Sequence, residues 1–174
     1  MLKLVGICII LLGCTGTGYS IVRERKLEIT NCEQWERILS IMENEIAFQK
    51  SSIHEICYRI SRHNTVGKRD RQFFQVLADE LEENRGQTLG NIWKCELMQY
   101  MKNIRLPEDI KNELYELGEK LCYEDEQMQR KVIHILNDEM RKVRTNQMKE
   151  DEKRNKVTIC MGIMTGLLIT IILF

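Results

Sequence analysis

The chain has 174 residues, of which 43% are hydrophobic and 30% are charged, and its formal net charge is zero. One proline and ten glycines leave few helix breakers, which predicts an all-helical protein. Because a nucleic-acid-binding face needs clustered lysines and arginines without compensating acids, the balanced charge argues against a nucleic acid as partner.

The first predicted element is an uncharged stretch at residues 4–22. Its length suits a transmembrane helix, so residues 1–22 are predicted to form an uncleaved membrane anchor. The letters LLGC, which end at Cys14, also resemble a bacterial lipoprotein cleavage box. The alternative is therefore an exported lipoprotein that is lipidated at Cys14 and has a C-terminal anchor. The length of the uncharged run favours the uncleaved anchor.

Residues 27–155 are predicted to form a helical bundle, because narrow apolar stripes alternate there with charges of both signs. Thr30 and Glu33 fit a capping box and predict a helix start. The apolar spacing is disturbed at residues 50–52 and resumes after them, which is compatible with two helices or one kinked helix. The stripe consists of Trp35, Ile38, Leu39, Met42, Ile46, Ile53, Ile56, Cys57 and Ile60.

Three further helices are predicted before the last one. The first carries Phe73 and Leu77, the second starts at Thr88, and the third has Pro107 in its first turn. Asp125 is then predicted as the N-cap of the last helix. No proline or glycine follows until Gly162, so this helix is predicted to continue toward the C-terminal apolar segment.

Residues 157–174 carry no charge, and as a helix they measure about 27 Å, close to the hydrocarbon core of a bilayer. Gly162 and Gly166 have the spacing that lets two helices approach closely in lipid. Positive residues flank both apolar segments on the side of the bundle: Arg23, Arg25, Lys26, Lys149, Lys153, Arg154 and Lys156. The positive-inside rule therefore predicts a two-pass protein of the cell membrane with a cytoplasmic bundle.

The sequence does not predict an active site. His54 and Cys57 have helical spacing, but a structural zinc site needs four ligands and no second ligand pair follows. The sequence has no P-loop, dinucleotide-binding or H-E-x-x-H motif. Its four central cysteines could form two disulfides, but isolated cysteines at core positions of helices usually behave as small buried residues, so we expect reduced thiols. We therefore expect a non-enzymatic protein without a metal, cofactor or small-molecule substrate, whose partners are proteins and membrane lipid.

Four short stretches, taken in order, carry a family resemblance. They are MLKLVG at the start, MENEIAF with Glu45 and Phe48, NIWK with Trp93, and LGEKLCYEDEQMQRKVI with Gly118, Leu121, Asp125 and Gln129. Together with the apolar segments they resemble the stage III sporulation protein AB family over essentially the whole chain. The chain departs from the family pattern at Cys122, where a second glycine is usual. This departure predicts a looser or differently placed helix contact near Gly118.

The resemblance implies an antiparallel helical bundle, similar to the type II secretion F-protein domain and flanked by two transmembrane helices. The implied role is a non-enzymatic component of a secretion-like channel between mother cell and forespore, required for endospore formation. The protein would lie in the mother-cell membrane facing the forespore. The implied partners are the AA ATPase and the other AA–AH membrane subunits. The regions around Glu45 and from Gly118 to Gln129 would have structural roles or shape a docking face.

Overall fold

The computed structural model of the protein describes residues 2–49, 51–83, 86–122 and 125–173. The side chains of residues 1–19, 21–22, 151–159, 162–163 and 165–174 lie outside this description. Both predicted membrane segments fall almost wholly on these residues, as do the predicted packing positions Gly162 and Gly166. Across the part of the chain whose side chains are described, no helix is both long and apolar enough to cross a membrane.

Over the described residues the protein is all helical, as predicted. The described part of the chain forms six helices: α1 (Leu2–Gln49), α2 (Ile53–Ser61), α3 (Lys68–Glu83), α4 (Leu89–Met101), α5 (Glu108–Lys120) and α6 (Glu126–Leu173). The chain divides into two compact units. One is Thr30–Arg144, which we call the bundle, and the other comprises Met1–Ile29 and Thr145–Phe174.

The helix start predicted at Thr30 is wrong, because α1 continues through this position. A capping side chain acts only where the preceding residues leave the helix and expose free N–H groups, and here the helix is unbroken. The interruption predicted near residues 50–52 is confirmed as a boundary between two helices. Ser52 caps α2, since its hydroxyl accepts a hydrogen bond from the backbone N–H of Glu55 at 3.3 Å.

The other predicted helix starts are confirmed. The hydroxyl of Thr88 accepts a hydrogen bond from the N–H of Asn91 at 3.4 Å at the start of α4. The carboxylate of Asp125 accepts one from the N–H of Gln127 at 3.0 Å at the start of α6. Pro107 immediately precedes α5, one position before the predicted first turn, and its missing N–H costs nothing there.

An aromatic cluster fills the centre of the bundle. It joins α1, α3 and α4, its neighbouring ring centroids lie between 4.5 and 6.3 Å apart, and its members are Trp35, Phe73, Phe74, Trp93 and Tyr100. Tilted and edge-on rings at these distances add to the free energy gained by burying them. Aliphatic side chains of the other helices surround the cluster and complete one core.

Polar contacts tie α1 to α6. Arg144 donates two hydrogen bonds to the carboxylate of Glu36, at 2.6 and 3.1 Å, and this pairing raises the pKa of the Arg144 guanidinium. Further along, the amide of Asn137 donates to the hydroxyl of Ser40 at 3.0 Å. Because positions rise along α1 as they fall along α6, the two helices run antiparallel within the bundle.

Candidate docking surface at one end of the bundle

The last turns of α1 and the first turns of α6 lie side by side at one end of the bundle. Beyond the contacts already described, the Nδ1 atom of His134 lies 3.6 Å from the carboxylate of Glu43, which continues the antiparallel series. The geometry therefore brings the predicted residues Glu45 and Phe48 of α1 to the same end as Asp125 and Gln129.

An open depression lies between these two helices at this end. It has a volume of ≈ 440 Å³ and is lined by Glu43 of α1 together with Gln127, Arg130, Lys131 and His134 of α6. The second ring nitrogen of His134 lies 3.5 Å from the carboxylate of Asp138. Small-molecule sites are usually concave and mostly apolar, so this open and charged depression is better suited to polar side chains of a protein partner.

Glu45 holds α2 against α1. Arg59 of α2 donates hydrogen bonds to Glu45 at 2.8 Å and to Glu55 at 2.7 Å. The hydrogen bond to Glu55 raises the pKa of the Arg59 guanidinium, and the charge of Glu45 adds to this effect. The carboxylate of Glu45 is thus engaged within the chain, which gives this predicted site residue a structural contact.

Phe48 lies one turn beyond Glu45 and is 82% exposed. Phenylalanine is usually buried, whereas aromatic side chains are enriched in the centres of protein interfaces. Of the seven residues that carried the family resemblance, Phe48 is the large apolar side chain that faces solvent. It is therefore the one best placed to contact another protein.

Gly118 and Trp93 form a close contact between α5 and α4. A Cβ atom on Gly118 would lie 2.5 Å from the Cβ and ring of Trp93, and the indole N–H of Trp93 donates to the carbonyl of Leu114 at 2.7 Å. The helix contact at Gly118 is therefore close in this chain, and its different placement, the other outcome predicted from Cys122, stays a prediction. The Cys122 thiol fits beside the contact, where it donates to the carbonyl of Gly118 at 3.3 Å.

Gly90 supports the same helix pair, and sequence reasoning missed it. A Cβ atom on Gly90 would lie 2.8 Å from the Cγ and 3.3 Å from the Cα of Glu119. Each of the two helices thus needs a glycine where the other approaches it: Gly90 on α4 faces Glu119, and Gly118 on α5 faces Trp93. The sequence around Gly90 does not reveal this role, because the need for a glycine there depends on which helix packs against it.

Leu121, Asp125 and Gln129 join α5 to α6. The side-chain amide of Gln129 donates to the carbonyl of Leu121 at 2.9 Å, and Leu121 is buried. Together with the cap at Asp125, the hydrogen bond between Gln129 and Leu121 links the end of α5 to the start of α6. The structure therefore gives these three residues contacts within the chain, and their predicted part in docking stays a prediction.

A buried carboxylate is a second feature that sequence reasoning missed. Asp70 is buried and accepts a hydrogen bond from the hydroxyl of Tyr100. Burial raises the pKa of Tyr100, and the negative charge of Asp70 raises it further. The phenol therefore keeps its proton and remains a donor to Asp70, which links α3 to α4.

The described side chains include no group of three or more histidines, cysteines, aspartates or glutamates that could hold a metal ion. His54 lies 3.9 Å from the carboxylate of Glu82. Cys57 is buried, and burial raises the pKa of its thiol to about 12. A metal ligand would be a thiolate, so the environment of Cys57 is that of a small core residue.

Known proteins resemble the chain in both sequence and structure. A family model described as "Stage III sporulation protein AB" matches residues 3–174. A solved structure titled "Stage III sporulation protein AB (SpoIIIAB)" matches with a TM-score of 0.64 and 17% sequence identity, over 72% of this chain and 97% of that chain. At this identity the structural likeness supports the fold alone. A search of curated protein sequences returned no match.

Proposed function

Since the chain belongs to the stage III sporulation protein AB family, and so to the proteins of sporulation, we propose that it is a non-enzymatic, membrane-anchored subunit of the secretion-like channel between mother cell and forespore. The family match over residues 3–174 carries this proposal. This match includes both apolar segments as well as the bundle, so it covers every segment predicted from the sequence.

The membrane part of the proposal is supported by the pattern of charge. Residues 4–22 and 157–174 are uncharged, while lysines and arginines follow the first segment and precede the second. Under the positive-inside rule, this pattern keeps the bundle in the cytoplasm of the mother cell. The protein would then be a two-pass component of the mother-cell membrane that faces the forespore.

The partner part of the proposal is supported by the end of the bundle that carries Phe48. An exposed aromatic side chain can anchor in an apolar pocket of a partner. At the same end of the bundle, the cations Arg130 and Lys131 of the depression can pair with acidic side chains and orient the approach. We assign this end, with Glu43 and His134 of the depression, to docking of the cytoplasmic AA ATPase. The other AA–AH subunits would be partners within the membrane.

Two features support a role without catalysis. The aromatic cluster occupies the centre of the bundle, where a buried active site would need space. The charged depression between α1 and α6 is open to water, whereas catalysis commonly relies on polar groups in a site that excludes water. ATP hydrolysis would accordingly be supplied by the partner.

The docking assignment is tested in full-length chains purified from sporulating cells. We expect F48A and K131E each to lower the recovered AA ATPase about tenfold or more, because loss of an interface anchor costs at least about 2 kcal/mol. K102E is the control, since Lys102 is an exposed lysine at the end of α4. Unchanged recovery with F48A and K131E, or an equal loss with K102E, would contradict the assignment.

The lipoprotein alternative has a separate test. Mass spectrometry of the mature N-terminal peptide should find residues 1–14 intact if the first segment is an uncleaved anchor. A mature chain that begins at a lipidated Cys14 would replace the two-pass topology with an exported lipoprotein.

A further inference from the structure

A second depression lies on the side of the bundle, between α5 and α6. It has a volume of ≈ 250 Å³, and its lining is Glu113, Leu117, Lys120, Val132, Ile135 and Leu136. Ile135 is 54% exposed on its rim. Leu117, Val132 and Leu136 pack into the core beneath it, so the groove offers open apolar surface on a firm base.

The apolar surface continues along α6. Met128, Val132 and Ile135 are spaced by four and three residues, which places them on one face of the helix. Met128, like Ile135, is an exposed hydrophobic residue. An apolar stripe of this kind along a groove suits a helical partner, and the charges around it indicate which partner.

On α5 the charges of the groove have opposite signs on either side of Leu117. Glu113 precedes Leu117 by one turn and Lys120 follows it by one turn. The ammonium group of Lys120 lies 3.1 Å from the carboxylate of Glu113 and 2.9 Å from that of Glu116. Both ion pairs are open to water and so stabilise the chain little, which allows them to exchange for ion pairs with a second copy.

On α6 the charges show the reverse arrangement around Ile135. Lys131 precedes Ile135 by four residues and Glu139 follows it by four, and both are exposed. Residues four apart lie on the same face of a helix. Each of the two helices thus carries a cation on one side of the groove's centre and an anion on the other, and on α6 the cation Lys131 also lines the first depression.

This arrangement is complementary to itself. Consider a two-fold axis that lies in the interface and crosses α5 near Leu117 and α6 at Ile135. Rotation by 180° about this axis places a second copy face to face with the first, with each helix antiparallel to its own counterpart. It sets Glu113 opposite Lys120 of a second copy, and Lys131 opposite Glu139 of that copy. Oppositely charged groups then meet at both walls, while the two Ile135 side chains meet at the centre.

We propose that the groove between α5 and α6 binds the same groove of a second copy of this chain, in an antiparallel, face-to-face pair. A different partner would require charges complementary to this surface, but it would not require opposite charges at mirrored positions on both helices. The inference does not rest on the proposed docking of an ATPase at the end of α1 and α6. Lys131 belongs to both surfaces, so the tests below vary Glu113, Lys120 and residue 135, which do not line the ATPase depression.

Cross-linking through residue 135 tests the pairing directly. We substitute Ile135→Cys in a full-length chain whose exposed Cys95, Cys122 and Cys160 are serine, and oxidise intact cells that express it. Because residue 135 lies on the axis, we expect a disulfide-linked homodimer. The control is M98C on α4, since Met98 is 53% exposed and so matches Ile135 in accessibility.

A charge-exchange experiment tests the proposed register. E113K and K120E, each added to the I135C chain, place like charges opposite each other in a homodimer, so we expect the cross-link yield to fall about fivefold or more. Co-expression of the two variants with different tags should restore the mixed dimer, because opposite charges then face each other again on both sides of the axis.

Each result is decisive. A homodimer at residue 135, little or none at residue 98, and recovery in the mixed pair would support the proposal. Equal yields at residues 135 and 98, a cross-link from residue 135 to a different protein, or no recovery on mixing would overturn it.

Discussion

Gly118 shows how much one residue can determine, since the position of its Cα sets how closely α5 approaches Trp93. The substitution G118A would place a methyl group 2.5 Å from the Trp93 side chain. We expect it to lower the free energy of unfolding by about 1–3 kcal/mol, because a close-packed core resists added volume. Chemical unfolding followed by circular dichroism measures the change.

The matched control for this prediction is G86A. A Cβ atom on Gly86 would have no described atom within 4 Å, so we expect the free energy of unfolding to change by less than about 0.5 kcal/mol. Equal destabilisation by both substitutions would mean that loss of glycine, and not the contact with Trp93, causes the effect.

Cys57 allows a prediction about pH. Burial raises the pKa of its thiol from 9.0 to about 12. The unfolded chain therefore loses this proton at lower pH than the folded chain. The stabilisation from the neutral thiol is complete below pH 9.0 and decreases as the pH rises toward 12. Relative to C57A, we expect the wild type to lose about 1 kcal/mol of its free energy of unfolding between roughly pH 9 and 10.

Urea unfolding of the wild type and C57A at both pH values tests this difference. Other groups of the chain also titrate in this range, but they are common to both proteins and cancel in the comparison. Parallel decreases in the two proteins would contradict a raised pKa at Cys57.

Burial of single residues was largely predictable, whereas their partners were not. Spacing alone places Trp35 and Ile38 in an apolar stripe, and both are buried. The role of Gly90 depends on Glu119, and that of Asp70 depends on Tyr100 thirty residues further along the chain. Local sequence patterns carry no information about such distant pairs.

At the scale of elements, the pairing of α1 with α6 organises the bundle. The bidentate contact between Arg144 and Glu36 spans 108 positions. Because a lysine cannot donate two parallel hydrogen bonds to one carboxylate, we expect R144K to lower the free energy of unfolding by about 1 kcal/mol. Chemical unfolding of the full chain measures it.

The control for R144K is K94R, a change of the same kind at an exposed position on α4. We expect no measurable change in stability for this variant. If R144K behaves like K94R, the contact with Glu36 contributes little and other contacts hold α1 to α6.

Helix boundaries were predictable where a side chain caps a real helix end. Ser52, Thr88 and Asp125 each accept a hydrogen bond from the first turn that follows. Thr30 has an equally good local pattern, yet α1 passes through it. The difference comes from the residues before the cap: residues 51 and 87 lie outside a helix, whereas residue 29 continues α1.

At the scale of the whole molecule, composition was enough to predict an all-helical chain, because residues that disrupt helices are rare in it. The antiparallel order of α1 and α6 and the position of Phe48 at the same end as Asp125 were beyond composition and spacing. They depend on which helix faces packed together, and the sequence alone gives each helix only one apolar stripe. The resemblance to a family supplied the architecture that periodicity could not.

The central claim is that the bundle lies in the cytoplasm of the mother cell, held there by two membrane segments. Labelling of Cys95 tests it most directly, because this thiol is exposed on α4. In sporulating cells that make the full-length chain with C122S and C160S, a membrane-impermeant maleimide should leave Cys95 unlabelled until the cells are permeabilised. Labelling of Cys95 in intact cells would place the bundle outside and contradict the account.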